Sequence, residues 1–509
     1  MITTKTKKMK RILYILSASM VLIYISCKKT LYKEPLAQLD TNVNYITADD
    51  ARRAITATYA PAAGNNWCCT YVGTGYMHWV LGNVASDDTD KGGESGSDQL
   101  YAQQVQLFNI PADNDATRFA YQVEYVGVRR ANLALENIPT INMDAALKDR
   151  YLAEAKFLRA WYYINLVRTF GDVPLVLSSK VETTDLTRTP KQQVYEQIIK
   201  DLTEAEAVLP RAGAYTAADH GRATKGAAQA YLGKVYLYMK NNAKAEEWFG
   251  KVIASNDYQL HPDYLEMFLR VGETSKEHIF QVKFLNDQGA APANNNNIGT
   301  TFGSRARSGW GFNLPTQDFV DAFEPGDPRL KQTVYKNGDV MPDGLVANVG
   351  NSTTGYLATK YYVPEYERVQ GSLQAGRDDI YMRLGKVYLW YAEAANEIGK
   401  TTEALKYLNE VRKRARQGNN AVLPDITETN KDALRQLIWK EQRVEFGQEY
   451  ERFFELVRQG RAGTVLRAYA TKYNTAKGKG FRDGVNEIFP LPQSEINLSK
   501  GKIAQNPGY

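Results

Sequence analysis

Cysteine is nearly absent from this chain. Its 509 residues contain three, namely Cys27 and the adjacent pair Cys68 and Cys69. A small secreted domain held together by disulfides needs several cysteine pairs, so that class of protein is excluded. Cys68 and Cys69 either form a vicinal disulfide or remain thiols, and the sequence leaves that choice open.

Histidine is almost as rare, with four residues in the whole chain. No two histidines have the spacing with which a helix presents a pair of metal ligands. No HExxH, P-loop or G-x-S-x-G motif occurs either. We therefore predict a protein without catalytic residues, without a metal site and without a cofactor.

Long basic tracts are also missing. The net charge of +6 is spread over 63 Lys and Arg and 57 Asp and Glu. Nucleic-acid-binding domains concentrate their basic residues on one face. The short run Arg412-Lys413-Arg414 lies on a predicted helix among acidic residues, which is typical of a solvated face. We predict no nucleic-acid partner.

One long apolar run is present, at residues 12–25, behind a basic N-terminus and directly before Ser26-Cys27. This order is that of a secretory signal peptide with a cysteine at the cleavage point. The run is short for a membrane-spanning helix, which needs roughly 20 residues. We predict a lipoprotein signal peptide at 1–26 and lipidation of Cys27; a transmembrane segment is the alternative.

The rest of the chain divides by composition into four regions. Residues 27–46 are predicted to be a tether and 47–261 a helical region. Residues 262–380, rich in Gly, Asn and Pro, are predicted to be a loop-rich insert, and 381–509 return to the helical scaffold. Long predicted helices cover 117–137, 145–170, 191–208 and 431–460.

A repeat pattern stands out at residues 222–255. Leu232-Gly233, Tyr236, Ala245 and Phe249 keep the tetratricopeptide spacing, in which small residues let two antiparallel helices approach closely. A looser copy occupies 386–416. The fold class predicted is therefore mainly α, a scaffold of tetratricopeptide-like helix pairs with a large loop-rich second half.

Candidate ligand-binding residues lie in the irregular segments, where aromatic rings can stack on sugars and polar groups can bind hydroxyls. They are Trp67, Tyr76, Trp79, Asp87, Asp88, Arg307, Trp310 and Phe312. The alternative for the aromatic residues is that they cover the helical core. The segment 86–98 partly matches a calcium loop, but Gln99 stands where an EF-hand needs a bidentate Glu.

A charged set near the C-terminus looks functional but is predicted to be structural. On one long helix, its members are spaced to pair with one another. They are Glu441, Arg443, Glu445, Glu449, Arg452 and Arg458.

Four segments make the chain resemble the SusD/RagB family of outer-membrane lipoproteins from Bacteroidota. They are Arg159-Ala160-x-x-Tyr163 running on to Phe170-Gly171-Asp172-Val173-Pro174-Leu175, residues 222–240, residues 438–460, and the tail Phe489-Pro490-Leu491-Pro492-Gln493-Ser494-Glu495-Ile496 with Gln505-Asn506-Pro507-Gly508-Tyr509.

The resemblance implies a SusD-like fold of four helix pairs under a loop-rich second half. It implies a nutrient-binding protein, for a glycan or in some members a peptide, without catalysis. It also implies a SusC-like TonB-dependent transporter as partner and a lipid-anchored position in the outer membrane, facing the cell exterior. Lys28-Lys29 stand where family members often carry acidic residues that direct surface export. The rival hypothesis is a scaffold whose repeats bind a protein partner.

Overall fold

The computed structural model describes residues 45–63, 77–284, 296–369 and 373–509. The first helix begins where the sequence predicts a cap. Thr47 accepts a hydrogen bond from the backbone N–H of Asp50, and the Asp50 side chain accepts one from the backbone N–H of Thr47. The elements of the first half are α1 Ala48–Tyr59, β1 Thr89–Gly92, α2 Leu100–Gln106, α3 Asp115–Asn137, α4 Ala145–Phe170, α5 Lys191–Val208, α6 Lys225–Tyr238 and α7 Asn242–Ala254.

The second half alternates short strands and helices before it returns to long helices. Its elements are β2 His278–Val282, α8 Ile298–Phe302, β3 Phe312–Pro315, α9 Gln317–Val320, α10 Arg329–Thr333, β4 Val334–Lys336, β5 Tyr356–Ala358, β6 Asp379–Arg383, α11 Leu384–Glu397, α12 Thr401–Ala415, α13 Lys431–Glu445, α14 Arg452–Arg458, α15 Ala462–Lys472 and α16 Gln493–Leu498. The fold class predicted from the sequence, mainly α with a loop-rich second half, is confirmed.

The helices form a continuous array. From α3 to α7 each helix packs on the next, and α11 then packs against α7, α12 and α13. The pairs α6–α7 and α11–α12 are the two predicted repeats. Inside the first pair Ala245 and Phe249 are fully buried, as their places in the repeat require.

Gly233 allows the close approach of α6 and α7. A Cβ atom at this position would lie 2.6 Å from the ring of Phe249, which real side chains do not tolerate. Gly250, on the facing helix, has a roomier environment, where a Cβ would lie 3.6 Å from the ring of Tyr391.

This contrast gives a stability prediction. Gly233→Ala should lower the free energy of unfolding by about 1–3 kcal/mol, because the added methyl overpacks the helix pair. Gly250→Ala is the matched control and should raise that free energy by about 0.5–1 kcal/mol through helix propensity. Urea unfolding followed by tryptophan fluorescence measures both, and equal effects of the two variants would refute the close-packing argument.

The described residues form three two-stranded antiparallel ribbons. The ribbon β1–β3 pairs Thr89 with Pro315 and Gly92 with Phe312, which links residues far apart in the sequence. The ribbon β2–β6 leads directly into α11, and β4–β5 lies within the insert. Among the described residues, one large apolar core runs through both halves, and two small clusters are built mainly from the insert itself.

The predicted helix 431–460 is wrong in its middle. The structure ends α13 at Glu445 and starts α14 at Arg452, and Gln448 and Tyr450 both have φ of 67°. Tertiary contacts stabilise this turn against the helical pattern. The Asn83 side chain accepts a hydrogen bond from the Tyr450 backbone N–H (3.0 Å) and donates one to the Gln448 carbonyl (3.2 Å).

A buried ion network lies where the turn meets the insert. Arg383 is fully buried and donates to Glu277 (2.9 Å), Glu445 (2.7 Å) and Glu449 (2.7 Å). Further buried members are Lys360, Arg329, Arg412, Arg414 and Glu441. These residues come from α10, β6, α12, α13, the α13–α14 turn and the segment just before β2, so the network fastens the insert to the helices.

The ion pairs in this network show that one prediction about the charged residues 441–458 is wrong. Its members were predicted to pair along one helix, but they pair with other segments. Glu441 pairs with Arg329 (2.6 Å) and Arg412 (2.9 Å), and Arg443 pairs with Asp318 (2.8 Å). The pairing prediction fails for the same reason as the helix prediction, since α13 and α14 are separate helices held by tertiary contacts.

Candidate functional site

Residues 303–311 form a compact loop that presents Trp310. The backbone N–H of Gly311 donates to the Gly303 carbonyl (2.9 Å), and that of Trp310 donates to the Thr300 carbonyl (2.8 Å). Gly309 packs directly on the backbone of Gly303, where a Cβ has no room. The Trp310 side chain is half-buried against the main core, so one part of its ring is held while another faces solvent.

Two arginines fasten this 303–311 loop to its neighbours. Arg305 pairs with Glu94 (2.6 Å) and Asp98 (2.8 Å), in the segment that follows β1. Arg307 donates to the Val346 carbonyl (3.0 Å), in the connection between β4 and β5. The loop is therefore a fixed platform, which lowers the entropy cost of binding a ligand.

Two adjoining cavities open beside the loop. The smaller, of about 320 Å³, is lined by Arg307, Arg368 and tyrosines 335, 361 and 362. The larger, of about 530 Å³, shares Gly299, Tyr361 and Val363 with it and extends to Arg377, Asp379 and Tyr450. Aromatic faces beside guanidinium and carboxyl groups are the surroundings that a hydroxyl-rich ligand needs.

Asp379 gives the larger cavity an unusual carboxyl group. Burial raises the pKa of Asp379 to about 7, although a hydrogen bond from the Asn296 amide (2.9 Å) favours the charged form. Near neutral pH this carboxyl is therefore present in both forms, as a hydrogen-bond donor and as an acceptor. Both roles suit a hydroxyl group.

Trp79 and Phe312, predicted as ligand contacts, lie in the core. Trp79 is 1% exposed in a π-helical segment, Trp79–Val84, and Phe312 is 2% exposed on β3. The Trp79 ring packs edge-on against Phe302 (5.6 Å between centroids) and beside Phe312 (5.7 Å). Because both rings are buried, a ligand can reach neither of them. Both residues therefore fit the alternative that these aromatic side chains cover the core.

Asp87 and Asp88, also predicted as ligand contacts, are buried in ion pairs. Arg452 donates from two nitrogens to Asp87 (2.9 and 2.8 Å), and Arg443 binds Asp88 (2.7 Å). Burial opposes the charge on Asp87, but the two guanidinium groups outweigh it and hold the pKa of that carboxyl well below its usual range. Both carboxylates are thus committed to the protein. Across the described ranges, no three His, Cys, Asp or Glu residues are grouped as a metal would require.

The remaining predicted residues divide as follows. Arg307 and Trp310 lie on the same 303–311 loop; Arg307 lines the smaller cavity, whereas Trp310 is not among the residues that line either cavity. Cys27, Trp67 and Tyr76 lie outside the described residues, as does the pair Cys68-Cys69. Tyr335, Arg368 and Asp379 were missed, because neither a motif nor a composition change marks them, and only the folded insert brings them to the cavities.

In the part of the chain that the structure describes, every helix is too short or too polar to span a lipid bilayer.

Two family profiles match the sequence. One, described as the SusD family, covers residues 276–509, and the other, described as starch-binding associating with outer membrane, covers residues 67–237. The chain belongs to the SusD family.

Relatives support this membership over nearly the whole length. A SusD-like protein (P2) of Formosa agariphila is 27% identical and is aligned over 96% of this chain and 98% of its own. A SusD-like protein of Bacteroides ovatus is 23% identical over 86% of this chain and 81% of its own.

Solved structures agree with the fold. A laminarin binding SusD-like protein superposes with a TM-score of 0.78 at 29% identity, covering 91% of this chain and all of that one. Surface glycan-binding protein A from Bacteroides thetaiotaomicron gives the same score and coverage at 23% identity, which shows the shared fold.

Proposed function

We propose that this SusD-family protein captures a glycan on the face formed by the 303–311 loop and the two adjoining cavities. The observation that carries the proposal is Trp310, a half-exposed ring on a rigid loop beside a cavity lined by tyrosine and arginine. A flat sugar face stacks on such a ring, while the arginine and carboxyl groups bind its hydroxyls. The laminarin-binding description of the neighbour at 29% identity favours a glycan over a peptide.

The proposal also includes where the protein is located and to which partner it delivers the glycan. Lipid on Cys27 anchors it to the outer membrane on the exterior side, and it delivers the glycan to a SusC-like TonB-dependent transporter. It binds without breaking bonds. The signal peptide pattern at 1–26 and the profile described as associating with outer membrane support this setting.

The test is the loss of binding in Trp310→Ala. Removing a central aromatic anchor costs about 2 kcal/mol or more, so the dissociation constant of a bound glycan should rise roughly thirtyfold. Isothermal titration of the mature protein with a panel of soluble glycans, beginning with laminarihexaose, measures this change.

Trp248→Ala is the matched control. Trp248 is also half-buried, but it lies on α7 under Lys251, whose ammonium group is 3.5 Å from the ring centroid. We expect it to bind glycan as the unmodified protein does. Equal affinity in the two variants, or no glycan bound by the unmodified protein, would contradict the proposal and favour a protein-binding scaffold.

A further inference from the structure

The smaller cavity beside the 303–311 loop has a positively charged lining. Among the described residues that line it, Arg307 and Arg368 carry charge, and there is no Asp or Glu. Burial raises the pKa of Tyr335, another lining residue, and the guanidinium groups of Arg307 and Arg368 both oppose that shift. The two cations therefore act on the same part of the cavity wall.

The larger cavity differs from the smaller one in its charges. Asp379 and Glu449 are part of its lining. Its cations are committed to the protein, since Lys360 pairs with Glu449 (2.7 Å) and Arg377 donates to the Tyr362 carbonyl (2.6 Å). An anionic group would meet carboxyl groups there, so the smaller cavity is the better place for an anion.

Arg307 has hydrogen-bond donors that the protein does not use. Its side chain is half-buried, and Nη2 donates to the Val346 carbonyl (3.0 Å). The Nε and Nη1 atoms have no hydrogen-bond partner among the described residues, and neither atom is buried. A ligand in the cavity can therefore reach both.

The contact with Val346 leaves one whole edge of the Arg307 guanidinium free. A guanidinium can bind a carboxylate through two parallel N–H groups, either on the edge of Nε and Nη2 or on the edge of Nη1 and Nη2. Nη2 carries two hydrogens, one on each edge, and the Val346 carbonyl takes one of them. Whichever hydrogen it takes, the other edge keeps both of its donors.

The carboxylates of the protein near this cavity have other partners. Asp343 accepts hydrogen bonds from the Tyr362 hydroxyl (2.8 Å) and from the Glu365 backbone N–H (3.0 Å). The Glu365 side chain is mostly exposed and lies 3.7 Å from the Arg368 guanidinium. Neither carboxylate belongs to the cavity lining, so the protein leaves the charge of Arg307 for a ligand.

We propose that the glycan captured on this face is acidic, and that Arg307 selects it by binding the carboxylate of a uronic acid residue through two parallel hydrogen bonds. The carboxylate of a uronic acid projects from the sugar ring, so it can reach Arg307 while the ring stays on the open face. A neutral sugar offers hydroxyls alone, which form weaker hydrogen bonds with a guanidinium. The inference rests on the proposed function, because it names the class of glycan for the same site.

The test compares each acidic glycan with its own methyl ester. Esterification removes the charge of the carboxylate but keeps the sugar rings and their linkages. The probes are oligosaccharides of mannuronate, guluronate, galacturonate and glucuronate, titrated calorimetrically into the mature protein. We expect at least one of them to bind about tenfold or more tightly than its ester, since hydrogen bonds to charged groups are the stronger ones. If none of the four acids binds more tightly than its ester, the inference is overturned.

Variants show whether Arg307 causes the preference for the acid. Arg307→Gln should bring the ratio of the two dissociation constants close to one, whereas Arg307→Lys keeps the charge without the two parallel donors and should retain part of the ratio. Arg467→Gln is the control, since it removes the same charge from an exposed pair with Asp483 (2.8 Å) on α15 and should leave the ratio unchanged. If Arg307 served only to hold Val346, Arg307→Gln would weaken acid and ester equally, and that result refutes the inference.

Neutral laminarihexaose separates this inference from the proposed function. If laminarihexaose binds and Trp310→Ala abolishes that binding, but no acid is preferred over its ester, the proposed function stands and the acidic specificity alone is removed. If neither laminarihexaose nor any acidic oligosaccharide binds, the proposed function fails and the inference fails with it.

Discussion

Arg383→Met is expected to lower the free energy of unfolding by about 3–5 kcal/mol. Arg383 is fully buried and is the shared partner of Glu277, Glu445 and Glu449. Methionine has similar length but no charge, so three buried carboxylates lose a donor at once. Buried charges without a partner are costly because the protein interior cannot replace their hydration.

The measurement is urea unfolding at neutral pH with Arg435→Met as control. Arg435 also pairs with two carboxylates, Glu397 and Asp432, but it is partly exposed to solvent, so its ion pairs should contribute less than those of the fully buried Arg383. The two variants remove the same chemical group from different surroundings. A loss below about 1 kcal/mol in Arg383→Met would mean that water or neighbouring cations compensate the carboxylates, and the network would then not fasten the insert.

The helical half of this fold can be predicted from the sequence because the interactions that determine it are local. The cap of Thr47 and Asp50, and the small residues Gly233 and Ala245, act within a few residues or within one helix pair. The α13–α14 turn is different. The residues 446–451 continue a helical pattern, and the chain turns because Asn83, more than 360 positions away, binds its backbone. No local propensity encodes such a contact.

The same distinction applies to the candidate site. The sequence places both Trp79 and Trp310 in segments predicted to be irregular, and both were predicted as ligand contacts. Phe302 and Phe312 cover Trp79, whereas the turn of the 303–311 loop leaves part of Trp310 exposed. Composition identifies aromatic residues in loops, but which of them remain accessible depends on what the rest of the insert covers.

Low pH should remove the contribution that the charge of Glu445, in the buried ion network, makes to the free energy of unfolding. Burial alone raises the pKa of Glu445, but the guanidinium groups of Arg414, Arg383 and Arg329 outweigh it and lower the pKa to about 2. In the unfolded chain a Glu has a pKa of about 4.3. Between these values the unfolded state binds more protons than the folded one, so stability falls as pH falls. The contribution is fully present above about pH 4.3 and is lost below about pH 2.

Glu445→Gln isolates this contribution from every other titrating group. At neutral pH the variant should be less stable than the unmodified protein by roughly 3 kcal/mol, the free energy that corresponds to this pKa difference. As pH falls from 5 toward 2, Glu445 takes up a proton in the unfolded state while the folded state still holds its charge, so the difference in stability between the two proteins should shrink toward zero. Urea midpoints measured side by side across this pH range give the difference directly. Glu403→Gln, at an exposed pair with Lys406, should show little difference at any pH. A Glu445→Gln difference that stays constant down to pH 2 would mean that Glu445 stabilises the fold by its shape and hydrogen bonds rather than by its charge.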